Sequence, residues 1–246
     1  MKPRLKMLLV VSLLANLAIV YVGYKAWTYR SNINYWLNRY NHAVAEFSKR
    51  DVHADSNADL SNPNQDKKRV VFFGTQVTSN WPIEELFPSY ETIDRGADSQ
   101  WVAGYLLRFR SDVIELEPAA VVIEISSYNF RPNQSSQEIR EYTMSMIDLA
   151  VANGIVPIPA TIIPPTQDYS VYELPDFAVK DTVLAFSAWL TDYAQQRNLE
   201  VADFRAAVAD ETGFLRADYA VGQVDLNRAG YEAISVDVGR ILEGLE

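Results

Sequence analysis

The chain has 246 residues and a formal net charge of −10, and 48% of its residues are hydrophobic. This length allows one good-sized domain with an appendage, and the apolar content supports an ordinary core. The negative charge argues against binding to nucleic acid, because phosphate groups repel it. The chain has no cysteine, which excludes disulfides, thiolate metal sites and a catalytic thiol. We predict neither a metal site nor a cofactor.

The N-terminal segment predicts a membrane anchor. Three cations in residues 1–6 precede residues 7–23, which form an almost uninterrupted apolar run. With the residues that follow, the run reaches about 20 residues, enough to cross a hydrocarbon core about 30 Å thick. Residues 1–28 are therefore predicted to span the cell membrane once, with a cytoplasmic N-terminus and a periplasmic or otherwise extracytoplasmic domain. A cleaved signal peptide is the alternative.

Residues 29–50 predict an amphipathic stalk helix next to the membrane. Its apolar residues follow the spacing of one helical face: Ile33, Trp36, Leu37, Tyr40, Val44 and Phe47. This stripe suits a helix that lies on its own domain or on the bilayer. It also suits a surface that binds a membrane-protein partner or a second copy of the chain. Residues 51–69 lack periodicity and are rich in Asp, Asn and Ser, so they are predicted to be a polar linker.

From residue 70 onwards, short apolar runs alternate with helical stretches, which predicts βαβ units and a parallel sheet. The predicted strands are 70–73, 91–93, 121–125, 155–160 and 200–202. The predicted helices cover residues 101–116, the segment from Ser135 to Asn153, and residues 178–197 and 228–245. Residues 70–246 are therefore expected to form a three-layer, doubly wound α/β domain with a crevice at the carboxyl ends of its strands.

Several segments of this domain resemble the SGNH (GDSL-type) hydrolases. Residues 70–81, VVFFGTQVTSNW, are similar to the first block of that family, a buried strand followed by Gly-Asp-Ser. Residues 93–99, 121–130 and 222–231 resemble the second, third and last blocks. The resemblance implies an SGNH or flavodoxin-like fold and descent from esterases or lipases that use a nucleophilic Ser.

The positions that match the catalytic residues of the family carry other side chains. In the order nucleophile, two oxyanion donors, and the Asp and His of the last block, they are Gln76, Ser99, Tyr128, Gly222 and Asp225. A Gln cannot attack a carbonyl. The two histidines, His42 and His53, precede residue 70, so neither is expected to act as a base unless the linker folds back into the crevice.

We therefore expect a pseudoenzyme that is a structural or accessory subunit of a membrane protein complex. The alternative is an esterase or O-acyltransferase relative that acts on, or binds, cell-envelope glycans. Glu124, a carboxylate inside a Val- and Ile-rich strand, could form a pocket for a cation or a sugar with Asp98, Asp225 and Tyr128. In the simpler interpretation an Arg or a backbone amide satisfies Glu124, and Tyr128 fills the site as core.

Overall fold

The computed structural model describes residues 3–60, 62–63, 66–130, 135–169 and 179–245. The chain divides into two compact units, Met1–Phe47 and Ser48–Glu246. The second unit contains the strands found among the described residues and the site considered below.

The first unit is a single helix, α1 (Pro3–Ser48), of 46 residues. At 1.5 Å per residue it is about 69 Å long. Its stretch Lys6–Leu37 is long and apolar enough to cross a membrane, a test that a signal sequence also passes. The stripe residues Ile33, Trp36, Leu37 and Tyr40 are exposed, whereas the side chains of Val44 and Phe47 lie outside the described part.

The second unit is built on a parallel sheet with the strand order β2-β1-β3-β4. Its strands are β1 (Arg69–Gly74), β2 (Glu91–Gly96), β3 (Ala120–Ile123) and β4 (Val156–Pro159). A short antiparallel hairpin, β5 (Ala220–Val221) and β6 (Asp225–Leu226), follows near the C-terminus. The strand order reverses between β1 and β3, which is where ligands bind in sheets of this type.

Helices cover both faces of the sheet. They are α2 (Ala54–Ala58), α3 (Gln76–Ser79), α4 (Ile83–Leu86), α5 (Val102–Asp112), α6 (Ser136–Ala152), α7 (Val179–Gln196), α8 (Phe204–Val208) and α9 (Arg228–Glu243). Alternate residues of β1 point to opposite faces: Val71 and Phe73 pack with α5, α6 and α7, and Val70 and Phe72 pack with α8 and α9. Both faces of a parallel sheet are buried in this way, so the predicted three-layer α/β fold is confirmed.

The prolines of β4 explain why the predicted fifth strand is reduced to one bridge, Ala160 with Ala202. The N–H groups of Val156 and Ala160 donate to carbonyls on the β3 side. Because successive N–H groups alternate in direction, Pro157 and Pro159 face the other side, where residues 200–202 run. The two missing donors leave that edge with too few hydrogen bonds for a full strand.

Helix α6 begins and ends where its capping residues predict. The hydroxyl of Ser135 accepts from the N–H of Glu138 at 3.3 Å, and Gly154 follows the helix with a φ of +74°. The third predicted helix corresponds to α7, although residue 178 lies outside the described part.

Part of the predicted polar linker is folded against the domain. Residues 54–58 form α2, and Leu60 packs against the apolar cluster that α5 covers. The Nδ2 of Asn57 donates to the Oδ1 of Asp112 at 2.7 Å, and its Oδ1 accepts from the Nε of Arg95 at 2.7 Å. A helix this short shows no periodicity, and its attachments are polar, so the sequence pattern did not reveal it.

Candidate functional site

A small crevice lies where the carboxyl ends of β1, β2 and β3 meet the β5–β6 hairpin. It encloses about 50 Å³. Its lining consists of Thr75, Gln76, Val77, Asp98, Ser99, Ser126, Tyr128, Val224 and Asp225. The structure therefore brings together the predicted residues Gln76, Ser99, Tyr128, Asp98 and Asp225. Gly222 is not among them; it lines a separate cavity of about 410 Å³ beside the hairpin.

Two glycines allow the turns at the strand ends to pack closely. A Cβ on Gly74 would lie 2.2 Å from the Oγ1 of Thr78 and 2.4 Å from the Oε2 of Glu124. A Cβ on Gly96 would lie 2.3 Å from the backbone N of Ser79. Gln76 is the first residue of α3, just after the first of these turns, and its side chain is exposed. The backbone geometry at the nucleophile position thus depends on glycine and not on the residue at position 76.

Glu124 lies directly beneath the turn that carries Gln76. Its Oε2 accepts from the N–H of Thr75 at 2.7 Å, the Oγ1 of Thr75 at 2.9 Å and the Oγ1 of Thr78 at 3.2 Å. Burial raises the pKa of this carboxyl although these donors oppose the shift, and Asp225 raises it further. The partners include a backbone amide, as the simpler interpretation has it, and no Arg among the described contacts. Glu124 therefore holds Thr75 and Thr78 in place.

Asp98 and Asp225 give the crevice an acidic side. Burial raises the pKa of the Asp225 carboxyl, and the nearby Asp98 raises it further. Ser99, which lines the crevice and has a φ of +53°, donates its hydroxyl to the Oδ1 of Asp98 at 2.9 Å. Among the described residues, no group of three or more His, Asp or Glu side chains is placed to hold a metal ion.

Tyr128 and Asn129 follow β3 in a single 3₁₀ turn. The half-buried ring of Tyr128 meets Trp101 edge-on, with centroids 5.9 Å apart. The buried Asn129 accepts from the N–H of Val102 through its Oδ1 at 2.8 Å and so satisfies the start of α5. Asn129 was not predicted from the sequence, because its hydrogen bond joins residues 27 positions apart.

His53 lies closer to the crevice than the sequence suggested. Its Nε2 donates to the carbonyl of Gly96 at 3.0 Å, at the end of β2. The pKa of His53 is lowered, first by burial and then by the charges of Arg108 and Arg95, while Asp112 opposes the shift. His53 does not line the crevice, and its Nε2–H is committed to a carbonyl. The side chain of His42 lies outside the described part.

Comparison with solved structures places this arrangement in a known family. A GDSL-like lipase from Bacteroides thetaiotaomicron is 27% identical with a TM-score of 0.72, and the match covers 80% of this chain and 98% of that one. A protein from Bacteroides fragilis assigned to the acylhydrolases is also 27% identical, with a TM-score of 0.69 and coverage of 78% and 94%. The chain has the fold of the SGNH/GDSL hydrolase-like proteins, and these matches support that family for it.

Further SGNH-type structures share the fold at lower identity. The lipase/acylhydrolase from Enterococcus faecalis is 17% identical, with a TM-score of 0.60 and coverage of 72% of this chain and 96% of that one. No family model and no curated protein matches the sequence.

This SGNH-type domain also contains a buried ion pair that the sequence analysis overlooked. Arg108 is fully buried; its Nη1 donates to the Oδ2 of Asp112 at 2.9 Å and to the carbonyl of Arg95 at 2.8 Å, and its Nη2 donates to the carbonyl of Gly74 at 3.0 Å. The guanidinium also lies 4.1 Å from the ring centroid of Phe73. Arg108 thereby ties together the carboxyl ends of β1 and β2. The sequence feature that indicates this pair is the i, i+4 spacing of Arg108 and Asp112, which places both on the buried face of α5.

Proposed function

We propose that this protein is a membrane-anchored SGNH-type pseudoenzyme that serves as a structural or accessory subunit of a membrane protein complex. The observation that carries the loss of chemistry is Gln76 at the nucleophile position, exposed at the crevice with a side-chain amide that cannot attack a carbonyl. The His position of the last block holds Asp225, and its Asp position holds Gly222.

The nearby hydroxyls are poor substitutes for the missing nucleophile. Those of Thr75 and Thr78 donate to Glu124, that of Ser99 donates to Asp98, and that of Ser126 accepts from the N–H of Tyr128. Among the described residues, those that line the crevice include no histidine. A carboxylate is a weak base for a hydroxyl, whose proton is removed most efficiently by a group that titrates near the working pH.

Helix α1 supports the membrane-bound part of the proposal. Beyond the predicted anchor it continues as a helix with exposed aromatic and aliphatic side chains at Ile33, Trp36, Leu37 and Tyr40. Such a stripe favours binding to a second membrane protein or to another copy of this chain. In this arrangement the anchor is retained, the N-terminus is cytoplasmic and the domain is extracytoplasmic.

A fluorophosphonate probe tests the loss of chemistry. We expect the purified full-length chain to remain unlabelled and to leave short-chain p-nitrophenyl esters intact, with an active SGNH esterase as positive control. Labelling that persists in Gln76→Ala and disappears in Ser99→Ala or Thr78→Val would establish a substitute nucleophile and overturn the proposal.

Native extraction in mild detergent tests the role as a subunit. We expect a particle heavier than the monomer, which the combined change of Trp36, Leu37 and Tyr40 to Ser dissociates. The matched control is Tyr35→Ser, which removes an aromatic ring from outside the stripe. A monomer in native membranes, or assembly that survives the triple change, contradicts this part of the proposal.

A second candidate function is binding of cell-envelope glycans, as a relative of esterases and O-acyltransferases. The half-exposed ring of Tyr128 lies in the same crevice as the carboxylates of Asp98 and Asp225, and sugar sites commonly combine a ring with polar acceptors. Isothermal titration with acetylated envelope oligosaccharides checks this role: binding that Tyr128→Ala and Asp225→Asn both abolish would favour it over the subunit role.

A further inference from the structure

The segment that follows α1 in the sequence is bonded to one wall of the crevice. The Nζ of Lys49 donates to the carbonyl of Asp98 at 2.7 Å, and the Nε2 of His53 donates to the carbonyl of Gly96 at 3.0 Å. These two carbonyls belong to the loop that carries Asp98 and Ser99 into the crevice. Residues 49–60 therefore act on the same loop that shapes the candidate site.

Asn57 provides a second attachment, behind the loop. Its Nδ2 donates to the Oδ1 of Asp112, and its Oδ1 accepts from the Nε of Arg95. Asp112 in turn is bonded to the buried Arg108, which reaches the carbonyls of Arg95 and Gly74. Residues 49–60 thus complete a continuous polar network that extends to the turns after β1 and β2.

Burial first, and then the charges of two arginines, make the protonation of His53 unfavourable, although Asp112 and the hydrogen bond to Gly96 oppose this effect. Strand β2 presents Arg95, and α5 presents Arg108 and Asp112. Asp112 is already committed through both oxygens, to Asn57 and to Arg108. Asp94, also on β2, accepts from the N–H of Gly96, whereas Asp55 on α2 is exposed. A proton on His53 would therefore place a third cation beside two guanidiniums in a half-buried site.

We propose that residues 49–60 form a clasp on the crevice wall that is closed while His53 is neutral and loosens when His53 is protonated. The clasp makes the shape of the crevice depend on pH. The proposal does not depend on whether the crevice binds a ligand.

The direction of the pH effect follows from the pKa of His53. Because burial and the two arginines lower this pKa below 6.5, folding disfavours the protonated form. The contribution of His53 to the clasp is therefore complete above pH 6.5 and is lost as the pH falls from 6.5 through the lowered value.

Hydrogen–deuterium exchange of the full-length chain in detergent tests the clasp. The peptide covering residues 96–101 is measured at pH 7.5 and 5.5, after correction for the intrinsic exchange rate, with the peptide of α6 as internal reference. In the wild type we expect about fivefold faster exchange of the loop at the lower pH, the factor for loss of about one hydrogen bond.

Three variants separate the clasp from a general effect of acid. His53→Gln keeps a donor for the Gly96 carbonyl but cannot be protonated there, so slow exchange at both pH values is expected. Lys49→Ala should speed exchange at both values and retain the pH response. Asp55→Asn, on the exposed side of α2, should behave as the wild type. An unchanged loop in the wild type at pH 5.5, or a full pH response in His53→Gln, overturns the proposal.

Discussion

The buried ion pair of Arg108 and Asp112 offers a quantitative test of what holds the crevice together. Neither side chain is measurably accessible, and together they tie α5 to the ends of β1 and β2. In Asp112→Asn the guanidinium keeps its place but loses its compensating charge. Removing one partner of a buried pair costs about 3–5 kcal/mol. For a domain of this size, that loss corresponds to a Tm lower by roughly 6–20 °C.

The control lies on the same helix. Arg110 meets Glu115 at 4.0 Å, and both side chains are largely exposed. Such a pair contributes little, so Arg110→Met should change the free energy of unfolding by less than about 0.5 kcal/mol. Thermal unfolding of the full chain, followed by near-ultraviolet circular dichroism, reports the loss of tertiary structure around aromatic side chains.

Replacing both partners separates charge from packing. In the double variant Arg108→Met, Asp112→Leu, no uncompensated charge stays buried, so part of the loss should be recovered relative to Asp112→Asn. Recovery will be incomplete, because the carbonyls of Gly74 and Arg95 lose a donor. If Asp112→Asn unfolds within about 2 °C of Arg110→Met, the ion pair does not hold the ends of β1 and β2 together, and this reasoning fails.

Three further changes test the parts of the site separately. Glu124→Gln should cost about 1–3 kcal/mol, since a buried acceptor is replaced in part by a donor. Because the pKa of Glu124 is raised, its stabilisation falls as pH rises from 4.5 through that value, and a pH series of unfolding midpoints should be flatter in the variant. Gly96→Ala brings a Cβ within 2.3 Å of the backbone of Ser79 and should destabilise by more than about 2 kcal/mol, whereas Gly239→Ala, an open position on α9, should stabilise by up to about 1 kcal/mol in denaturant titrations. Asn129→Ala should lower stability by about 1 kcal/mol, because the N–H of Val102 loses its acceptor.

The parts of the fold that the sequence predicted are those determined by local chemistry. Strand β1 can be predicted from its own apolar run, because a parallel strand that is buried on both faces is apolar throughout. Both ends of helix α6 were predicted, since Ser135 and Gly154 cap the helix through contacts with residues close to them in the sequence. The reduced fifth strand was not predicted, because a strand pattern gives no measure of the hydrogen bonds that Pro157 and Pro159 withhold.

The site was predicted where positions follow the blocks of the family, and missed where tertiary polar contacts decide. Asp98, Asp225 and Tyr128 line the crevice, whereas Glu124 is buried and does not line it. Arg108 and His53 were not assigned a place near it. Each is attached through carbonyls and carboxylates from other elements, and such contacts leave no periodic trace in the sequence. Helix α2 was interpreted as a linker for the same reason: it is short and polar, and its attachments to the domain are polar contacts.

The acidic side chains of the crevice support the proposed binding role, independently of any alignment. Acyl transfer develops negative charge on the substrate oxygen, which an active site must meet with donors directed at it. Here Asp98 and Asp225 line the cavity, and Glu124 takes the N–H of Thr75 from below. An ionised carboxylate beside the reacting group opposes a developing oxyanion. The strand ends are still held by Gly74, Gly96 and Arg108, whose contacts serve packing and do not depend on a reacting group. This arrangement supports the proposal that the crevice holds a partner or a ligand.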